Sequence, residues 1–255
     1  MSLEAQRYLF NVIKQHTLTT ENANKMLLEV KKIYPTLREW GGDHIRHIGQ
    51  AGSLAKGTHI TGTSDVDLFV SLHYKTPHTL CEIFTKLHDY LSAKGYKTRK
   101  QNVSVNLIYK GISVDVVPGT RQPHSLTDHS IYRRKVDSWT KTNINKHIQI
   151  VKNSRRISEI KLMKIWRKLH GLDFPSFYLE LCVIDALHGC RYGNLPSNIT
   201  TALTYLADDF QTARHIDPAN GNNLISDDLT DNEKAKIAKL ARASLEKQYW
   251  EEVIQ

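Results

Sequence analysis

Two aspartates, Asp65 and Asp67, stand two residues apart in Ser64-Asp65-Val66-Asp67-Leu68-Phe69-Val70. On a β-strand, residues i and i+2 point to one face, so these carboxylates converge. Like charges side by side repel, and burying them unpaired is costly. A divalent cation relieves that repulsion, and hard carboxylate oxygens suit Mg²⁺ or Mn²⁺. Asp115, in Ile112-Ser113-Val114-Asp115-Val116-Val117, is a third carboxylate on another apolar run. An adjacent strand of the same sheet would bring it beside the pair. Three carboxylates around two such ions can orient a nucleoside triphosphate and lower the pKa of an attacking hydroxyl. Upstream, Gly52 lets the backbone approach a phosphate closely, and the Ser53 hydroxyl can hydrogen-bond it. An isolated Asp-x-Asp is common in surface turns. Gly-Ser ahead of it and a third strand-borne aspartate behind it make the set specific.

These residues need a sheet to hold them. Residues 45–50 and 65–72 read as strands, the second alternating through Val66, Leu68, Val70 and Leu72, with a small-residue turn at Ala51-Gly52-Ser53. Residues 104–109 and 112–117 read as a hairpin joined by Lys110-Gly111, with Pro118-Gly119 expected to end it. The first forty or so residues have helical spacing through Tyr8, Leu9, Val12 and Ile13, then through Met26, Leu27, Val30 and Ile33. Residues 77–91 are helical through Leu80, Ile83, Leu87 and Leu91. From about residue 145 onward the pattern is all helical, with candidate helices at 154–170, 175–190, 197–212 and 230–247. The expected fold is therefore α+β: a lobe with a small mixed sheet, residues 1–140 with the N-terminal helices, and a helical C-terminal lobe, residues 141–255. A central cleft separates the two, and the N-terminal helices are expected to pack across both.

The stretch Gly52-Ser53-x-x-Lys56-Gly57-Thr58-x-x-x-Gly62-x-Ser64-Asp65-x-Asp67 resembles the signature of the DNA polymerase β-type nucleotidyltransferase superfamily. Within it, the chain is most similar to 2′-5′-oligoadenylate synthases and to bacterial cGAS/DncV-like nucleotidyltransferases. Archaeal-type CCA-adding enzymes share the signature and come next. Glu159-Ile160-Lys161-Leu162-Met163-Lys164-Ile165-Trp166 resembles the family's helix bearing a triphosphate-binding lysine. Phe174-Pro175-Ser176-Phe177-Tyr178 resembles the segment laid against the nucleotide. Residues 216–223 resemble a late Asp-Pro turn, with Gly221 where proline is commoner and Leu224 in place of a second Asn.

The resemblance implies that Asp65 and Asp67 bind two Mg²⁺ or Mn²⁺ ions, and that Asp115 holds the ion activating the acceptor hydroxyl. It implies that Gly52 and Ser53 hold the β- and γ-phosphates of ATP or another NTP. Lys164 and Lys161 would neutralise the triphosphate, Ser176 would touch phosphate, and Phe177 or Tyr178 would stack on a base. Lys56 is a candidate for the nucleotide's surroundings, or else a solvated turn residue. Trp139, Trp166 and Trp250 read as packing residues, and Trp40 as core or lid. The histidines have no zinc-ligand spacing.

The chain has 255 residues and a formal net charge of +9, which favours a polyanionic partner. Its 40% hydrophobic content excludes wholesale disorder. Basic residues concentrate between Arg133 and Lys168, opposed only by Asp137 and Glu159. That segment could bind nucleic acid, as an activator or as an acceptor RNA. No apolar run approaches a membrane span, the first residues lack an apolar signal core, and three scattered cysteines read as reduced thiols. A cytoplasmic protein without membrane contact is expected. The leading function is synthesis of a linear or cyclic oligonucleotide messenger from NTPs, with a place in antiviral defence. Template-independent addition to an RNA end is the alternative, and a non-catalytic nucleic-acid sensor is a third. Transfer of a nucleotide onto a protein or an antibiotic is a variant.

Overall fold

The computed structural model describes residues 3–62 and 65–255. Three helices come first: α1 (Leu3–Gln15), α2 (Thr20–Lys31) and α3 (Tyr34–Gly41). Thr19 caps α2 by accepting the Asn22 N–H, one of the donors a helix start leaves open. Next come β1 (Ile45–Gln50), the short α4 (Gly52–Lys56) and β2 (Val66–Leu72). The turn expected at residues 51–53 is thus the start of a helix. α5 (Leu80–Ala93) begins at a capping box between Thr79 and Glu82 and buries Ile83, Phe84, Leu87 and Leu91 along one face. β3 (Lys97–Lys100), β4 (Val105–Tyr109), β5 (Ile112–Arg121), β6 (His129–Arg133) and β7 (Ser138–Thr142) complete the sheet.

The seven strands form one mixed sheet with the path β1-β2-β5-β4-β3, and β6 and β7 continue from β5. β2 and β5 run parallel, and the other pairs are antiparallel. The expected hairpin forms, but Pro118-Gly119 does not end its second strand. β5 pairs with β4 through residues 112–116 and with β6 from Gly119 onward. Pro118 falls between these ladders, where that edge of β5 has no partner, so its missing N–H is tolerated.

The helical half contains α6 (Ile144–Asn153), α7 (Ile157–Leu169), α8 (Ser176–Ala186) and α9 (Leu195–Asp208). A small hairpin of β8 (Ile216–Asp217) and β9 (Asn220–Leu224) follows, then α10 (Asp231–Leu245). Asn143 and Asn194 cap α6 and α9, and Thr230 with Glu233 forms a second capping box on α10. The fold class is the expected α+β one.

Two main cores result. Val30 of α2, Ile33 at the start of α3 and Leu37 of α3 join the β2, β4, β5 and α5 side chains under the sheet. Leu9, Val12 and Ile13 of α1 instead join the core of α7, α8, α9 and α10. α1 therefore packs with the helical half, not with the sheet lobe to which a boundary at residue 140 assigns it. An amphipathic helix shows that one face is buried, not against which partner. Trp166 is fully buried, and its indole N–H donates to Ser244 Oγ at 2.9 Å. Trp139 corrects the packing expectation: it is 59% exposed, on the outermost strand β7. Among the described residues, no helix is long and apolar enough to cross a membrane.

Candidate active site

The parallel pairing of β2 with β5 sets Asp67 directly opposite Asp115. Both lie half-buried on one sheet face, with Asp65 just before β2 begins. The opposite face of β2 carries Val66, Leu68, Val70 and Leu72 into the core, so register alone aims the carboxylates away from it. Asn106, opposite Asp115 on β4, donates through Nδ2 to Asp115 Oδ1 at 2.8 Å, and Gln101 Nε2 donates at 3.0 Å. These two positioning amides were not singled out from the sequence, where only their strand context could have marked them.

Burial pushes Asp67 up to about 6, aided by the Asp115 and Asp65 charges and opposed by Lys56. Asp115 is also raised, first by burial, then by Asp65 against the Asn106 hydrogen bond. Among the described residues, no three His, Cys, Asp or Glu side chains stand gathered as a ready chelate. The donor set nonetheless fits a hard divalent cation: oxygen ligands only and mutually repelling, with Asp67 and Asp115 both raised, first by burial. The wild type must pay to ionise Asp67, so its stability falls as pH rises from the ordinary 3.8 to about 6. In EDTA, Asp67→Asn is expected to be more stable than wild type at about pH 7.5, and the difference is expected to shrink at about pH 4.5. Urea denaturation of both proteins at each pH checks this. An equal difference at the two values would contradict it.

Gly52 and Ser53 begin α4, whose short turn packs on β2. Gly52 has φ +56, and a Cβ there would lie 1.7 Å from Asp67 Oδ2, so only glycine fits. The Ser53 backbone N–H donates to the Asp67 carboxylate. Ser53 Oγ is buried and has no hydrogen-bond partner among the described residues, which suits an incoming phosphate oxygen. Thr63 and Ser64, which complete the motif, lie outside the described residues.

Lys56 and Lys164 converge on a carboxylate that the sequence reading missed. Glu180 is fully buried and pairs with Lys56 at 2.7 Å and Lys164 at 2.6 Å. Thr58 Oγ1 donates to Glu180 at 2.7 Å and accepts from Lys164 at 2.9 Å. Lys164 is thus engaged within the protein, and burial lowers its pKa despite Glu180. Lys161, one turn earlier, is half-buried, lowered by burial, and has no partner among the described residues. Of the two lysines, Lys161 is the one left free for a triphosphate.

The aromatic pair also divides. Tyr178 corrects its expected role: it is fully buried against Phe174, Phe210 and His215, and could reach a base only by leaving the core. Phe177 is half-buried at the edge of the helical core. Lys56 Nζ stands 4.2 Å from its ring centroid, and the His147 ring lies 4.3 Å away. His147 bonds Asp217 at 2.7 Å, and Asp217 also accepts from the Ala219 N–H and Asn223. The late Asp-Pro turn therefore holds His147 against Phe177, and Gly221 and Leu224 take no part in that contact. Asn220 of the same turn reaches Thr140 on β7 at 3.2 Å, which ties it to the sheet. Ser176 is exposed and accepts from Arg167 at 3.0 Å.

The basic run from Arg133 to Lys168 is not one surface. Arg156 is buried on the carbonyls of Leu187, Cys190 and Arg191, Lys164 is paired inside, and Lys141 pairs with Asp128. Arg134, Lys135, Lys146, Lys152 and Arg155 remain exposed on different elements.

Residues 1–154 match the family model described as Second Messenger Oligonucleotide or Dinucleotide Synthetase domain. The chain is similar to the cyclic AMP-AMP-AMP synthase of Escherichia coli strain MS 115-1. They are 24% identical over 202 residues, covering 70% of this chain and 63% of that protein. The match thus spans just under two thirds of that relative's length. Among solved structures, the fold superposes on E. coli MS115-1 CdnC in its complex with HORMA-deltaN, with a TM-score of 0.81, 20% identity and both chains covered in full. It also superposes on the Bradyrhizobium diazoefficiens CD-NTase CdnG in complex with GTP, with a TM-score of 0.78 and 12% identity, over 93% of this chain and 89% of that one. These two likenesses concern the fold. The family model covers more than half of the sequence, including Gly52, Ser53 and all three aspartates, and the chain belongs to the Second Messenger Oligonucleotide or Dinucleotide Synthetase domain family.

Proposed function

We propose that the protein joins nucleoside triphosphates into a small cyclic or linear oligonucleotide and releases pyrophosphate. The observation that carries this reading is the register of Asp67 on Asp115 beside the Gly52-Ser53 turn. A ribose hydroxyl attacks the α-phosphorus of the donor, the bond to the pyrophosphate oxygen breaks with its electron pair leaving on pyrophosphate, and the hydroxyl proton passes to solvent water. Asp65, Asp67 and Asp115 would hold Mg²⁺ or Mn²⁺, which would supply charge stabilisation for the attacking and leaving oxygens. Asn106 and Gln101 orient Asp115 towards the acceptor. Ser53 Oγ and the backbone at Gly52 receive the donor phosphates, and Phe177, braced by His147, offers an edge to the base.

Lys161 neutralises the triphosphate from the helical side. Lys161→Met is expected to raise the KM for NTP on the order of tenfold, the worth of one charge-assisted hydrogen bond. Because it removes an unpaired half-buried charge, it is expected to leave the melting temperature unchanged or higher. Steady-state kinetics with a melting curve checks both, and an unaltered KM would remove Lys161 from the site.

The divided basic run argues against a broad RNA-grasping face, and the presence of all three carboxylates argues against a non-catalytic sensor. The test is incubation with Mg²⁺ and the four labelled NTPs, with and without RNA, and products resolved by mass. Phosphatase-resistant oligonucleotide from NTPs alone supports the proposal. Label found only on added RNA would replace it with end addition.

A further inference from the structure

On the sheet face that bears the carboxylates, β2 continues from Asp67 through Phe69 to Ser71, and β5 from Asp115 through Gly119 to Arg121. Ser71 stands about 13 Å from Asp67, four residues at ~3.3 Å each. A cavity of about 280 Å³ opens there. Its lining includes Gln50, next to Ala51, and Phe69, so it lies on the same sheet face as the carboxylates, with the buried Phe69 ring between the two. Arg121, Ser71, His129 and the exposed His47 supply its polar wall. No acidic side chain lines it among the described residues.

The polar wall is built in a fixed order. His129 Nδ1 donates to the Thr127 carbonyl at 2.9 Å, which leaves Nε2 to accept from Ser71 Oγ at 2.8 Å. Burial keeps His129 below its ordinary pKa, consistent with a neutral ring that can accept. Ser71 Oγ in turn accepts from Arg121 Nε at 3.2 Å. Ser71 and His129 are both buried, so this relay locks the guanidinium by its Nε edge. The Nη groups of Arg121 have no acceptor among the described residues. Asp128, one residue before His129, is already engaged by Lys141 at 3.1 Å and Asn143 at 2.8 Å. Ile144 and Asn145, the first residues of α6, close the cavity, and a helix start adds partial positive charge. The surrounding field is positive too: burial, and then Arg46, Lys75, His44 and Arg121, hold His73 down.

We propose that this cavity is a second phosphate-binding site, in which the Nη groups of Arg121 hold a phosphoryl group on the same face as the carboxylates. A planar guanidinium fixed at one edge presents two parallel N–H donors, the geometry that phosphate oxygens take. The phosphate has two possible sources. It is either the 5′-phosphate end of the acceptor or growing chain, or a separate phosphorylated ligand. The first source rests on the synthase reading above, and the site itself does not. The Arg121 side chain reaches back to Ser71, which brings its guanidinium to about 13 Å along the strand from Asp67, the order of length of an extended nucleoside triphosphate.

The experiment is calorimetric titration in metal-free buffer, where the three carboxylates repel phosphate from the donor site. The probes are inorganic triphosphate, a linear diadenylate with a 5′-triphosphate, and the same diadenylate with a 5′-hydroxyl. Arg121→Met is expected to weaken triphosphate binding on the order of tenfold to a hundredfold, the range for a charged hydrogen-bond pair. Arg121→Lys keeps the charge, so its partial recovery separates a lost charge from a lost fold. Loss with both triphosphate probes, and none with the 5′-hydroxyl probe, assigns the site to the chain's own 5′ end. Loss with inorganic triphosphate alone assigns it to a separate ligand. Wild-type protein that binds neither triphosphate probe, or Arg121→Met that binds them as tightly as wild type, overturns the proposal. The readout needs no turnover, so failure here is distinct from failure of the synthase reading.

Discussion

Replacing Asp65 and Asp67 together with alanine is expected to abolish nucleotide incorporation, by at least about a thousandfold, and to leave a folded protein. The size follows from chemistry: stabilising charge on a phosphoryl oxygen is worth several kcal/mol, and each ~1.4 kcal/mol is tenfold in rate. Retention of the fold follows from position. Asp67 points away from the core that Val66, Leu68, Val70 and Leu72 build, and Asp65 precedes the strand. Removing charges that repel one another even relieves the metal-free chain. The check is incorporation of labelled NTP by the double variant, with circular dichroism and a melting curve alongside. Wild-type turnover in the variant would displace the chemistry from this site. A companion change, Gly52→Ala, is expected to give a comparable loss, since its Cβ would collide with the Asp67 carboxylate.

Glu180→Leu is expected to cost about 3–5 kcal/mol of stability, the range for breaking a buried ion pair by removing one partner. Glu180 is 0% exposed, Lys164 1% and Lys56 7%, so neither lysine can turn to water without opening the protein. The pairing also spans the molecule, from Lys56 on α4 beside the sheet to Lys164 on α7 and Glu180 on α8. Burial alone would raise Glu180. The two lysines outweigh it and hold the carboxyl below its usual range. Its contribution is therefore in place at neutral pH and is lost as pH falls through that lowered value. Urea denaturation at neutral pH measures the cost, and adding Lys164→Met to the Glu180→Leu background is expected to restore part of it. A loss under about 1 kcal/mol would show that the lysines find water, and that Glu180 does not hold them.

Short-range patterns made much of this site legible. Period-two alternation placed Asp65 and Asp67 at a strand, and the Lys110-Gly111 turn paired β4 with β5 ahead of any structure. What was missed depends on long-range packing. β3 is Lys97-Thr98-Arg99-Lys100, an edge strand with no apolar alternation to announce it. β6 and β7 are similarly polar and are set by pairing to β5 and to each other. Glu180 left one trace, a single acid within the apolar run Tyr178-Leu179-Glu180-Leu181-Cys182-Val183, which a search for buried charges would have questioned. Its two lysine partners lie 124 and 16 residues away, and no local pattern names them. The same contact engages Lys164 inside the protein and leaves Lys161 without a partner among the described residues. Phe177 and Tyr178, adjacent in sequence, face opposite environments because a helix turns about 100° per residue.

The measurement that bears most directly on the central claim is pyrophosphate release from NTPs, without RNA, as Mg²⁺ is titrated into wild type and Asp67→Asn. Release by the wild type is expected to rise from nothing with Mg²⁺, and none above background is expected from the variant at any concentration. Equal release by the two proteins, or release by the wild type that is indifferent to Mg²⁺, would contradict the assignment.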